Sequence, residues 1–110
     1  MNQNLQTEVT QLHAEICAGL ADPNRILILY ELSQSPRNVT ELCNNLHMPQ
    51  PLVSRHLKIL RERRMVQSER HGTVVIYSLA DRRIIEALDL LRAAMRDMLA
   101  QRAALVEILE

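Results

Sequence analysis

From Gln50 the chain places Ser54, Lys58 and Arg61 at intervals of four, four and three residues, with Arg55 beside them. On a helix turning about 100° per residue these side chains share one side, while Val53, Leu57 and Leu60 share the other. An arginine can fork onto guanine, a glutamine onto adenine, a serine onto a base or phosphate, and a lysine onto phosphate. The spacing therefore predicts one face that anchors and one that reads a polyanion. Pro49 and Pro51 leave few N–H groups needing partners and stiffen the start of this helix, which suits an N-terminus that must enter a groove without fraying. His56 falls at the border of the apolar side, where a half-buried packing role competes with a base contact.

A second constellation is built from soft ligands. His13 and Cys17 are four residues apart, as are Cys43 and His47, so each pair can share a face. Brought together within one chain or across a dimer, they make a Cys2His2 set suited to tetrahedral zinc or another thiophilic metal or metalloid. Alternatively, Cys17 and Cys43 form a redox pair, which requires their Cα atoms to approach within about 7 Å. The plainer reading makes both cysteines small core hydrophobes. Two cysteines are too few for a disulfide scaffold and fit a reducing compartment. Catalysis is not expected. Ser54 and His56 are two apart on a helix and do not face each other, and the sequence shows no phosphate-cradling glycine loop.

The elements that must position these residues can be read from the punctuation. At 110 residues and 47% apolar, with two tyrosines and no Trp or Phe, the chain predicts a single domain, 1–110, with an aliphatic core, mainly α with a small β-hairpin. Leu5, Val9, Leu12, Ile16 and Leu20 form the stripe of a first helix, about 5–20. Asp22-Pro23 starts a second helix, which runs to about Ser33. Asn38 and Glu41 have the spacing of a capping box for a third, over Val39 to about Leu46. His47-Met48-Pro49 breaks it, and the fourth runs from about Gln50 to Arg63 or Arg64. A short helix, a tight break and a second helix read as a helix-turn-helix. MVQSER and TVVIYSL then read as a hairpin, or wing, joined at His71-Gly72. Asp81 caps a last helix, 81–109, giving the order α-α-α-α-β-β-α. The stripes of the first and last helices exceed what so small a core can cover, which predicts a homodimer joined through 5–20 and 81–109.

The formal net charge is zero, yet residues 37 to 71 hold seven arginines and lysines against three glutamates, a net of plus four between acidic flanks. Such a basic middle fits a polyanion-facing patch. The longest aliphatic or aromatic run, ILILY, is far short of the roughly 18 residues of a membrane span, so no membrane partner and a cytoplasmic location are expected.

LADPNRILILYEL, NVTELCNNL, MPQPLVSRHLKILRERRMV and ERHGTVVIYSL together resemble the ArsR/SmtB family of winged-helix, dimeric bacterial repressors, over roughly residues 12 to 100. The resemblance implies that the fourth helix enters the major groove of double-stranded operator DNA. It also implies that the wing tip, Arg70, His71 and Thr73, lies along the backbone or minor groove, and that the first and last helices form the dimer. Members of the family commonly leave DNA when they bind a metal ion or when thiols are oxidised. Three departures stand out. Many members have serine where this chain has Pro49. The arsenic and cadmium sensors carry E-L-C-x-C, of which Glu41-Leu42-Cys43 keeps only the first cysteine. The zinc-sensor ligands of the last helix correspond to Asp81, Arg83, Ala94 and Asp97, where arginine and alanine cannot ligate and Asp81 is explained as a cap. The competing expectation is a winged helix that contacts only proteins, its basic face docking an acidic partner.

Overall fold

The computed structural model of the protein describes residues 2–109. Its helices are α1 (Gln3–Leu12), α2 (Pro23–Gln34), α3 (Val39–Leu46), α4 (Gln50–Glu62) and α5 (Arg83–Leu109), with strands β1 (Val66–His71) and β2 (Val74–Leu79) between α4 and α5. This is a helix-turn-helix followed by a two-stranded wing and a long closing helix.

The first helix departs from the expected single span of 5–20. Asn2 starts it, its side chain accepting the Asn4 N–H at 2.8 Å. After Leu12 the backbone widens into one π-helical turn, His13–Cys17, in which the Ala18 N–H reaches back five residues to the His13 carbonyl at 3.0 Å. Periodicity at spacings of three and four does not distinguish such a turn from continuous α-helix. Gly19 follows and is buried; a Cβ there would stand 2.7 Å from Met65 Sδ, so only glycine lets the chain pass this closely.

The next starts follow the caps. Asp22 accepts the Asn24 N–H at 2.8 Å with Pro23 in the first turn. Asn38 and Glu41 close a reciprocal box, at 2.8 Å onto the Glu41 N–H and 3.0 Å from the Asn38 N–H. At Pro49 no side chain caps α4; the Leu52 and Val53 N–H groups turn onto the Pro49 carbonyl at 3.1 and 3.2 Å, and Pro51 has no N–H to satisfy.

Both helices of the motif end on a non-glycine residue in left-handed conformation. His47 has φ 54°, with the Met48 N–H returning to the Cys43 carbonyl at 3.1 Å. Arg64 has φ 59°, its N–H bonded to the Arg61 carbonyl at 3.0 Å and the Met65 N–H to the Leu60 carbonyl at 2.9 Å, a complete Schellman closure. A side chain in this region costs about 1 kcal/mol that glycine avoids. His47→Gly is therefore expected to leave the urea midpoint unchanged or raise it, by up to about 1 kcal/mol of stability.

The strands pair antiparallel from Val66↔Leu79 to His71↔Val74. The connecting turn is Gly72-Thr73, one residue beyond the expected His71-Gly72, with Gly72 at φ 67° in the first central position that a II′ turn reserves for glycine. Arg37 adds a short bridge to Tyr77 with backbone bonds of 3.0 and 2.8 Å, tying the wing to the segment before α3. Asp81 accepts the Arg83 N–H at 2.9 Å, so α5 begins at Arg83 with Asp81 ahead of it as cap. The core is aliphatic throughout: Ile28, Leu29 and Leu32 of α2, Leu42 of α3, Val53, Leu57 and Leu60 of α4, then Met65, Val66, Ile85 and Leu88.

Candidate nucleic-acid interface and thiol positions

Helix α4 separates its two sides as the amphipathic spacing predicts. Val53, Leu57 and Leu60 are buried, while Gln50, Ser54, Arg55, Lys58 and Arg61 are exposed. Among the described residues neither Arg55 nor Lys58 enters an ion pair. Arg61 reaches only as far as a long 3.5 Å contact with Ser68 Oγ on β1. These cations are held on a rigid helix with their charge uncompensated. At the far end of the wing Arg70, His71 and Thr73 are all exposed, with His71 Nε2 3.7 Å from a Glu69 carboxylate oxygen.

His56 does not join the reading face. It is 2% exposed and takes the packing role, so the expected base contact is not available to it. Its Nδ1 lies 3.3 Å from Arg25 Nη1. Because a guanidinium only donates, Nδ1 must accept, which leaves the neutral ring's proton on Nε2. Buried Nε2 has no hydrogen-bond partner among the described residues and faces the Asp22 carboxylate at 4.0 Å.

Burial holds the His56 pKa below its ordinary 6.5, reinforced by the positive charges of Arg25 and Arg55 and opposed by Asp22. The unfolded chain thus takes up a proton that the fold resists. That contribution is fully present above about pH 6.5 and is lost as the pH falls below it. Urea midpoints are expected to drop between about pH 7.5 and 5.5, and His56→Leu flattens this part of the profile.

The four candidate soft ligands do not gather into one cluster. His13 and Cys17 are exposed on the π-helical turn, whereas Cys43 is half-buried against the core and His47 is exposed at the left-handed end of α3. No group of three or more His, Cys, Asp and Glu able to hold a metal comes together among the described residues. The four-ligand set therefore does not fit a tetrahedral site within one chain. Ahead of α5, Asp81 is engaged by Arg83, with 2.6 Å between Oδ2 and Nη2, and these bonds pull its carboxyl pKa down to about 2.

Two arginines were not singled out by sequence reasoning and prove structurally central. Arg25 of α2 donates through Nε to the Gly19 carbonyl at 2.8 Å and through Nη2 to the Ala18 carbonyl at 3.3 Å, besides meeting His56. Arg63, at the end of α4, donates to the Ala14 carbonyl and, at 3.4 Å, to that of Glu15. Their partners are backbone carbonyls, a class of contact that leaves no mark on sequence.

An apolar groove runs between the first and last helices, lined by Leu12, Ile16, Leu20, Ile84, Ala87, Leu88 and Leu91, with Arg64, Asp81 and Arg83 at its margin. Beyond it α5 leaves Met95, Met98 and Leu99 at least half exposed. Tyr30 fastens α2 to α5, its hydroxyl donating to Asp89 Oδ1 at 2.6 Å while the Arg92 guanidinium lies 5.1 Å from its ring centre. No described helix is long and apolar enough to cross a membrane.

Comparison with known proteins adds a consistent set of likenesses. Residues 22–68 match the family described as bacterial regulatory protein, arsR family. The HTH-type transcriptional repressor SmtB of Mycobacterium tuberculosis is 49% identical over 74 residues, 67% of this chain and 55% of that protein. The chain thus spans about half the length of that relative. The uncharacterized HTH-type transcriptional regulator Rv0081 of the same species is 35% identical over 98 residues, 88% of this chain and 86% of that one. Its crystal structure superposes with a TM-score of 0.76 at 33% identity, covering 86% of this chain and 96% of that one. The solution structure of a homodimeric winged helix-turn-helix DNA-binding domain, Mb0332 from Mycobacterium bovis, shares the fold with a TM-score of 0.76 at 23% identity, covering 92% and 93% of the two chains.

Proposed function

The chain belongs to the arsR family of bacterial regulatory proteins, a family of transcriptional regulators rather than enzymes, and on that premise we propose that it is a dimeric, sequence-specific DNA-binding repressor. The observation that carries this reading is the uncompensated face of α4. Gln50, Ser54, Arg55, Lys58 and Arg61 project from a helix whose opposite side is locked into the core. A second copy covers the groove between the first and last helices and sets two α4 helices about 34 Å apart, one turn of duplex. Arg70, His71 and Thr73 then follow the backbone or minor groove beside each major-groove contact. Release from the operator is governed by a thiophilic ion or by oxidation acting at Cys17 and Cys43. Cys17 is the more accessible of the two.

The test is an operator titration of the reduced protein over a range of salt, repeated with Arg55→Ala and Lys58→Ala. Arg55→Ala is expected to weaken the cognate site about tenfold or more and to relax base preference, while Lys58→Ala weakens all sequences alike and lowers the salt slope by about one. Unchanged DNA binding in Arg55→Ala together with loss of an acidic protein partner would instead favour a protein-docking module. Adding zinc, arsenite, an oxidant or a persulfide donor to the wild type and to Cys17→Ser and Cys43→Ser tests the release step. Affinity indifferent to all four sinks it.

A further inference from the structure

The π-helical turn leaves a specific vacancy. In a continuous α-helix the Ala18 N–H would bond to the Ala14 carbonyl; here it goes to His13 instead. The Ala14 carbonyl takes its hydrogen bond from Arg63, the residue that closes α4, and the adjacent Glu15 carbonyl shares the same guanidinium. Four residues further on, the Ala18 and Gly19 carbonyls are taken by Arg25, whose Nη1 also touches His56 in the middle of α4. Gly19 makes room for the arrangement, since a Cβ there would meet Arg63 Cδ at 3.1 Å as well as Met65. Helix α1 itself buries no residue. Its hold on the domain therefore runs through the turn and the short segment after it, and both arginines there lead to α4.

We propose that the π-helical turn His13–Cys17 is a joint through which the first helix sets the placement of α4, with Arg63 as the positioning residue. The proposal rests on the repressor reading above for its DNA consequence, but the mechanical link can be measured without DNA. A shift of the first helix that restored α-type bonding would return the Ala18 N–H to Ala14, where it competes with Arg63 for the same carbonyl. The tether on the end of α4 then weakens. One nitrogen, Nη1, donates to both successive carbonyls, and the planar guanidinium fixes the direction of its N–H groups in a way that a freely rotating lysine ammonium does not.

Arg63→Gln, compared with wild type, tests this by amide hydrogen exchange over residues 13–20 and 50–62, by sedimentation, and by operator titration over a range of salt. The expected result is faster exchange in both segments, an unchanged dimer, operator affinity lower by about tenfold and the same salt slope. Arg63→Lys should give the same pattern at about threefold and provides the decisive comparison should Arg63→Gln fold poorly. Unchanged exchange over 50–62 overturns the proposal. If affinity falls and the salt slope drops by about one with exchange unaltered, Arg63 is a phosphate contact and not a positioning residue. A wild-type protein without base preference would defeat the repressor reading, while the exchange comparison would still decide the joint.

Discussion

Leu91→Glu is expected to convert the protein to a monomer at micromolar concentration and to weaken operator binding by about two orders of magnitude or more. Leu91 is 63% exposed in the single chain and lines the groove between the first and last helices. Leu12, Met95 and Leu99 add further uncovered apolar surface on the same two helices. A carboxylate placed against such a surface must be desolvated when two copies meet, which costs several kcal/mol. With the dimer gone, each α4 binds its half-site without the effective concentration the other supplies. Sedimentation and operator titration on the same samples check both halves of the expectation. A dimeric Leu91→Glu with wild-type affinity would place the interface elsewhere.

The largest loss of stability is expected from truncating the anchoring side of α4. Leu57 is 1% exposed and is followed at helical spacing by Leu60, which is fully buried. Leu57→Ala should cost about 3 kcal/mol, the removed transfer energy plus the cavity left in a close-packed aliphatic core. The urea midpoint, measured at fixed protein concentration because the apparent stability of a dimer depends on it, reports it. DNA affinity should also suffer, since the reading face is held only by what lies behind it. A loss below about 1 kcal/mol would mean that neighbouring side chains collapse into the space.

Much of this arrangement was legible because the chain is sharply punctuated. Asp22-Pro23, the Asn38–Glu41 box and the prolines around Gln50 start α2, α3 and α4 where local capping chemistry predicts. The hairpin was legible from its β-branched residues and single glycine, but its turn sits one residue later than read. The π-helical turn was not legible, because a stripe at spacings of three and four is preserved while its hydrogen bonds shift. Val53, Leu57 and Leu60 alone put His56 at the edge of the apolar side. Including half-buried Leu52 would have set it between Leu52 and Leu60, about 40° from each, and so inside that side. The grip of Arg63 on Ala14 joins residues 49 apart in sequence through a backbone atom, and no pattern of side chains encodes that.

The two tyrosines give the molecule built-in reporters. Tyrosine is its only strongly emitting residue type, since tryptophan is absent. Tyr30 sits where α2 meets α5 under Arg92, and Tyr77 sits in the wing bridged to Arg37. Replacing either one by phenylalanine therefore leaves an ultraviolet signal from a single known place, so that motion of the closing helix and motion of the wing can be followed separately without attaching any dye.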